Sequence, residues 1–450
     1  MSMEERLQAE VTRRDFLKAT SAVGLAAGLG LATRDVRGKE PEPTTSSSDK
    51  IRVGFIGVGP RGSHLMNEFL EQSDVLVTAV CDVYEPRIEE AIKRAGVQAK
   101  GYRDFRKLLD ESDCDVIVVA TPPHWHALIS ICAMQAGKDV YCEKPMCLYP
   151  DEAVAVASAA KKYQRVTQLG TQIHAMNNYR RVVEIVRSGV LGKIMNVRTA
   201  VTLNESPGRF KGVEDSDPPK GLDWDLWLGP GPNKPFNKTL FEDGGHRYFK
   251  EFVMSWVNEL GPHIMDLAFW AMNPGAPSAA LAAGGRFVME DVTDIPDTVD
   301  ILYEYPGFSM NFIHTAGNGY NFGFGASPDR GRRLGVFFHG TNGTLAADYS
   351  NYSIFLEGIK QEDFSPPEET IPASPGHVRE FLDGVKTRVQ PLCNFEYHFP
   401  MTLAIALGHV ALFSGERVEW DAKRQRVVGS RKARQMAQSH YRKPWSLPRV

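Results

Sequence analysis

The chain has 450 residues, more than one domain usually holds, so two domains are expected. Its 52 basic and 55 acidic side chains nearly balance, which argues against a general polyanion binder and against an acidic, disordered chain. With 42 % hydrophobic, 10 % aromatic and 24 % charged residues it can bury one or two sizeable cores, and it lacks an uninterrupted run of 18 apolar residues to span a membrane.

Residues 1–32 read as an export signal. Thr12-Arg13-Arg14-Asp15-Phe16-Leu17-Lys18 precedes a short, weakly hydrophobic run from Ala19 to Ala32, which is the twin-arginine pattern. Residues 33–49 are polar, with Pro41, Pro43 and a Thr/Ser run, and read as a linker. The mature protein is therefore expected in the periplasm or elsewhere outside the cytoplasm, with no integral membrane segment once the signal is removed. The twin-arginine route carries folded proteins, so a cofactor taken up in the cytosol would travel with the chain. Six cysteines, at 81, 114, 132, 142, 147 and 393, do not form a disulfide framework. His124, His126, Cys142 and Cys147 fit no standard zinc spacing, and no metal site is expected.

From Ile51 the pattern becomes regular. Ile51–Ile56 is an apolar strand, followed by Gly57-Val58-Gly59-Pro60-Arg61-Gly62 and a helix to about Glu71. Further strands are expected at 74–81, 116–120 and 140–142, with helical stretches between them. Strands alternating with helices mean a parallel sheet covered on both faces. The Gly-x-Gly-x-x-Gly string follows a strand, opens a helix, and is followed by Asp82 at the end of the next strand. These are the contextual marks of a Rossmann dinucleotide site. Gly57 permits the tight turn, Gly59 lets the backbone approach a pyrophosphate, and Gly62 allows helix and strand to pack closely. Pro60 and Arg61 lie in the same loop. Asp82 can accept hydrogen bonds from ribose hydroxyls and would repel a 2′-phosphate. That favours NAD over NADP, although Arg87 lies nearby.

Two more strings end strands of this sheet: Thr121-Pro122-Pro123-His124-Trp125-His126 and Glu143-Lys144-Pro145. Taken with Gly170-Thr171-Gln172 and Leu191-Gly192-Lys193-Ile194, they make residues 50–425 resemble the glucose-fructose oxidoreductase/inositol dehydrogenase/rhizopine catabolism (Gfo/Idh/MocA) family. The resemblance implies an α/β protein: an N-terminal Rossmann NAD(P)-binding domain (50–172) and a C-terminal α+β domain (173–425) with a large, open, mainly antiparallel sheet. It implies an NAD(P)-dependent oxidoreductase acting on the CH–OH group of a sugar or polyol, in a homo-oligomer, dimer or tetramer. Lys144 matches the family lysine beside the nicotinamide. Thr121, Pro122, His126, Glu143 and Gln172 match cofactor-side positions. The family string Asp-x-Gly-x-His appears here as Glu259-Leu260-Gly261-Pro262-His263, so His263 carries over and Glu259 stands one methylene longer than the usual aspartate. His174 occupies a position where the family often has Arg or Asn.

Hydride removal from a carbinol needs a base and a donor for the developing alkoxide. Lys144, partly desolvated beside a nicotinamide, would have a lowered pKa. His263 suits a base. Gly261-Pro262 reads as a helix start, and Asp266, three residues on, would orient the His263 imidazole. His246 and Tyr248, in Gly244-Gly245-His246-Arg247-Tyr248-Phe249, are polar candidates for the substrate pocket. Trp224 and Trp227 would either stack on a sugar or pack in a core.

Strands are also expected at 194–203, 298–305, 308–314 and 334–338, and residues 204–250 read as long loops that would cover the substrate. Residues 426–450 form a basic C-terminal arm that would pack on its own or a neighbouring subunit; no nucleic-acid role is expected of it. Export makes free cofactor scarce, so NAD is expected to be tightly held and recycled in place. The alternatives are an NAD-dependent glycoside hydrolase working by transient oxidation and elimination, and a non-catalytic sugar-binding protein.

Overall fold

The computed structural model describes residues 50–96, 98–242, 244–318 and 334–450. The export signal and the linker lie outside the described residues.

A six-stranded, all-parallel sheet comes first: β1 (Ile51–Ile56), β2 (Val75–Cys81), β3 (Lys100–Tyr102), β4 (Val116–Val119), β5 (Asp139–Cys142) and β6 (Thr167–Leu169), in the order β3-β2-β1-β4-β5-β6. This is the doubly wound order of a Rossmann fold, which reverses between β1 and β4. Every residue of β4 and β5 is buried, as expected for strands sandwiched between helices. Between the strands run α1 (Pro60–Leu70), α2 (Glu85–Ala95), α3 (Phe105–Glu111), α4 (His126–Gln135) and α5 (Pro150–Tyr163). The short strands β3 and β6 have too few apolar residues in a row to be read from sequence. Lys100 and Gly101 are exposed.

After α6 (Asn177–Arg187) the chain builds a nine-stranded sheet from β7 (Ile194–Thr202), β8 (Ala279–Gly285), β9 (Thr298–Tyr305), β10 (Phe308–Thr315), β11 (Leu334–Gly340), β12 (Gly343–Ala347), β13 (Tyr352–Leu356), β14 (Val418–Asp421) and β15 (Arg426–Val428). Its order is β13-β12-β11-β7-β10-β9-β8-β14-β15. All its pairings are antiparallel except β7 with β10. Between β7 and β8 lie four helices, α7 (Trp224–Leu228), α8 (Lys238–Phe241), α9 (Lys250–Val253) and α10 (Trp256–Met272). After β13 come α11 (His377–Thr387), α12 (Phe395–Ser414) and, beyond β15, α13 (Arg431–Met436).

Helix α10 starts earlier than its sequence suggests. Gly261-Pro262 does not open it. Ser255 does, its hydroxyl accepting the Val257 N–H, and Pro262 sits in the interior, where it removes one helical hydrogen bond. Glu259 is thus inside the helix, one turn before His263. All but the last residue of α10 are buried, so the helix lies between the two sheets rather than on a surface.

Helix α12 packs against α5 and β6 on one side and against β8, β9 and α10 on the other. One apolar cluster therefore runs through both layers, and a second lies on the other face of the parallel sheet, joined by Val378, Phe381 and Leu382. Its 20 residues are apolar enough to cross a membrane by length and composition, but they are mostly buried inside the protein. The six cysteines are free thiols, and five are buried.

Candidate active site at the carboxyl edge of the parallel sheet

The turn after β1 has the geometry its glycines predict. Gly57 adopts φ +86°, and a Cβ there would lie 2.7 Å from the backbone of Ala120 and Thr121. A Cβ on Gly62 would stand 2.0 Å from the Gly57 carbonyl oxygen, so only glycine lets α1 approach β1 this closely. Helix α1 begins with Pro60, has no side-chain cap and no acidic residue in its first turn, and so presents free N–H groups and a positive dipole end to an anion. Asp82 ends β2 fully buried, accepting the N–H groups of Val58 (2.9 Å) and Tyr84 (3.0 Å). Burial pushes its carboxyl up, and Arg87 and these N–H groups pull the other way. A carboxylate offers about four lone-pair sites, so these N–H groups leave acceptor capacity for a ribose hydroxyl.

The ends of β4, β5 and β6 bring the other sequence-named residues together. Arg61 reaches across from α1 to Glu143, Nη2 to Oε1 2.7 Å, so these two bind each other. His126 sits between the carbonyls of Pro145 (Nδ1, 2.6 Å) and Thr121 (Nε2, 2.8 Å). Burial and the nearby Lys144 hold its pKa down at about 4, so the ring is neutral and has one N–H to give. The Lys144–Pro145 bond is cis. Thr121 Oγ1 and Gln172 Oε1 are buried at this edge with no hydrogen-bond partner among the described residues. A polar ligand in the crevice would satisfy both. With the phosphate turn and Asp82, they make a set that fits a dinucleotide.

At the reacting end, Lys144 Nζ lies 3.0 Å from Glu259 Oε1 and 3.2 Å from the Glu259 carbonyl oxygen. Both side chains are only 4 % exposed. Glu259 is thus a buried carboxylate partner of the Lys144 amine. Glu259 also receives Arg247 Nη1 at 3.3 Å. The sequence reading missed Arg247 and named its neighbours His246 and Tyr248. The available signal was the glycine pair before it, since the chain turns there into the short helical turn Gly245–Tyr248.

Other expected partnerships rearrange. Asp266 does not orient His263. It binds His174 Nδ1 at 2.9 Å and the Tyr397 hydroxyl at 2.7 Å. The ring of His263 lies 6.2 Å from that of Tyr349, and its carbonyl accepts the Tyr179 hydroxyl. The Tyr248 hydroxyl donates to Glu205 and is met by Arg209, each at 3.0 Å. His246 is half-buried, its ring 6.3 Å from Trp227. Trp224 and Trp227 stack on each other at 4.5 Å inside an apolar cluster with Phe236 and Phe241, which is core packing.

Comparison with known proteins agrees with this geometry. Residues 51–171 match the Gfo/Idh/MocA family described as an oxidoreductase family with an NAD-binding Rossmann fold, and residues 10–30 match a twin-arginine translocation signal sequence. A "Glycosyl hydrolase family 109 protein" of Shewanella sp. (strain W3-18-1) is 29 % identical over 209 residues, 42 % of this chain and 46 % of that one. An "Alpha-N-acetylgalactosaminidase" of Shewanella oneidensis is 27 % identical over the same length. The chain thus spans about half the length of the curated relatives it matches. Among solved structures, the WlbA dehydrogenase of Bordetella pertussis, in complex with NADH and UDP-GlcNAcA, superposes with a TM-score of 0.61 at 16 % identity, over 83 % of this chain and 99 % of that one. Levoglucosan dehydrogenase, in complex with NADH and levoglucosan, gives 0.57 at 19 % identity, over 82 % and 99 %. The last two likenesses are of fold. In residues 51–171, behind a twin-arginine signal sequence, the chain carries the NAD-binding Rossmann domain of the Gfo/Idh/MocA oxidoreductase family.

Proposed function

We propose that the protein is an exported enzyme that moves hydride between a tightly held NAD and a hydroxyl-bearing carbon of a sugar or polyol. The observation that carries this reading is the buried ion pair of Lys144 with Glu259, which ties the end of β5 to helix α10 beside a turn built for a dinucleotide. A bound nicotinamide supplies a two-electron acceptor that takes hydride from the carbinol carbon and can return it. Lys144 donates a hydrogen bond to the carbinol oxygen and stabilises the negative charge that grows there. As an ammonium it cannot also take the hydroxyl proton. That role falls to His263, which follows Glu259 by one turn on the same face of α10. Glu259 and Arg247 act as positioning residues that fix the Lys144 amine.

A second reading is favoured by the glycosyl hydrolase family 109 relatives. The same oxidation would make a transient carbonyl on the sugar, acidifying the neighbouring C–H. Loss of that proton expels the glycosidic oxygen, water adds, and hydride returns to the same carbon. The net reaction is hydrolysis, with no net redox change. In this reading His246 is an added acid–base group. Tyr248 is less suited, because Glu205 and Arg209 hold its hydroxyl. A third reading, a sugar-binding protein without catalysis, is disfavoured by the intact Lys144 and His263.

The face of the nine-stranded sheet that carries Leu281 and Phe355, each 45 % exposed, supports self-association. We place the first domain at 50–172; the second starts at 173 and runs past the expected limit of 425, because β15 (Arg426–Val428), in the segment expected as the C-terminal arm, is an edge strand of the second sheet.

The test is to add candidate sugars to the purified, folded protein and follow reduced nicotinamide by its absorbance near roughly 340 nm. A lasting rise that an added carbonyl acceptor reverses supports the oxidoreductase. Release of an aglycone with no net spectral change supports the hydrolase. A protein that neither holds nor binds NAD refutes both.

A further inference from the structure

Residues 221–242 and 244–247 belong to a strap that runs along the carboxyl edge of the parallel sheet. Its first end is sewn to the β2–α2 turn. Gly221 accepts the Glu85 N–H (3.0 Å), Leu222 bridges Tyr84, and the Asp223 N–H donates to Val83 (2.9 Å). Phe241, farther along the strap, packs on Tyr84 (5.8 Å) and under the guanidinium of Arg87 (4.8 Å). Arg87 in turn stands 3.3 Å from where a Cβ on Gly59 would be. This is the adenosine end of a Rossmann crevice, beside Asp82 and the phosphate turn. At its other end, the strap delivers Arg247 to Glu259 at the reacting end. One segment therefore spans both ends of the crevice.

The strap is fastened at its middle by the C-terminal arm. Trp227 accepts a hydrogen bond from Trp125 Nε1 at 3.1 Å. Gly229 lies so close to the Trp125 ring that a Cβ there would come within 1.9 Å. The arm closes on the opposite side. The Arg442 guanidinium binds the Asp225 carboxylate (2.6 Å), the Asp225 carbonyl (3.0 Å) and the Gly229 carbonyl (3.1 Å), which caps the carboxyl end of α7. Its own N–H donates to Pro230. Trp445 meets the Trp125 ring at 4.8 Å. Upstream, the arm is anchored on the start of α5 by Tyr441 to Glu152 (2.6 Å) and Ser439 to Asp151 (2.9 Å).

We propose that the C-terminal arm is a latch on cofactor exchange: Arg442, bound to the strap, and Trp445, packed behind Trp125, keep the strap shut over the dinucleotide, which enters or leaves only when the arm lifts. The proposal rests on the assignment of NAD to this crevice. Arg442 touches the strap directly and Trp445 acts on it through Trp125, which hydrogen-bonds the strap, so both gate passage in both directions. Loosening them raises the association and dissociation rates together and leaves the dissociation constant within a few-fold. That pattern separates a gate from general damage to the site, which would raise dissociation alone.

The experiment measures exchange of bound NAD for labelled NAD in full-length folded protein, with rates in both directions, for wild type, Arg442→Ala and Trp445→Ala. Exchange is expected to quicken on the order of tenfold to a hundredfold, the effect of losing hydrogen bonds to a charged group. Trp445→Phe, which keeps an aromatic ring against Trp125, provides a milder variant should either alanine variant fail to fold; it is expected to exchange faster than wild type. Exchange as slow in folded variants as in wild type overturns the latch, as does faster dissociation without faster association. A wild-type protein that binds no NAD overturns the cofactor assignment, and the latch with it.

Discussion

His174 Nδ1 stands 2.9 Å from Asp266 Oδ2, and its ring lies over Trp270 with the centroids 3.7 Å apart. The pair ties the turn after β6 to helix α10, the helix that carries Glu259 and His263. Burial opposes charge on His174, but its neighbours outweigh it and the ring's pKa stands well above 6.5. Cys393 and Asp266 are the neighbours that raise it. Burial likewise opposes charge on Asp266, and His174 and Tyr397 draw its carboxyl below 3.8.

A pH dependence of stability follows. The histidine's folded pKa is raised, so its contribution is complete below about 6.5 and is lost as pH climbs through the folded value. The aspartate's is lowered, so its contribution is complete above about 3.8 and is lost as pH falls through the folded value. The pair is therefore worth most between these limits. Asp266→Asn is expected to cost about 3–5 kcal/mol there, because it strands a buried histidine. Urea unfolding of both proteins from pH 4 to pH 9 checks this, and the gap is expected to narrow on the alkaline side.

Lys144→Ala is expected to lower turnover by at least about a hundredfold, the usual effect of deleting a positioned donor at a developing oxyanion. Nucleotide remains bound, since Glu259 keeps Arg247 as its partner. Steady-state rates and the nucleotide content of the purified variant provide the measurements. Wild-type turnover in this variant would remove Lys144 from the chemistry.

Glu259→Ala leaves two cations, Lys144 and Arg247, without their shared carboxylate. The expected loss of stability is about 3–5 kcal/mol by chemical denaturation. Glu259→Gln keeps the shape and one acceptor oxygen but not the charge. Its loss is expected to be smaller, with turnover still impaired because the Lys144 amine is no longer held.

Glu152 is a carboxyl of a different kind. Burial pushes it up to about 7, against the hydrogen bonds it accepts from Tyr441 and from the N–H groups of Leu148 and Tyr149. Between about 4.5 and 7 the unfolded chain has released this proton while the folded protein keeps it, so stability falls as pH rises through that range. The total is roughly 3 kcal/mol. Glu152→Gln is expected to remove that slope, read as the urea midpoint from pH 4.5 to pH 7.

The first sheet and its nucleotide turn were legible because their signals are local: unbroken apolar strands, glycines at fixed spacing, and Asp82 one strand later. The second layer was less so. Strands β8, β12 and β15 are small, polar or short, and acquire strand geometry from the strands they pair with rather than from their own side chains. Pro262 suggested a helix start because exposed helices place proline there. In α10 the surrounding core keeps the helix continuous through it. Arg247 and the true partner of Asp266 escaped because both depend on contacts between segments about ten to a hundred residues apart, which no spacing rule encodes.

Helix α12 has one last consequence. Because it packs against both sheets at once, the apolar cluster that spans the two halves is complete in neither of them alone. Heating should melt the two halves together in one cooperative step, and a calorimetric trace is expected to show a single endotherm. Expressed alone, residues 50–172 would expose the apolar surface that α12 covers and would aggregate.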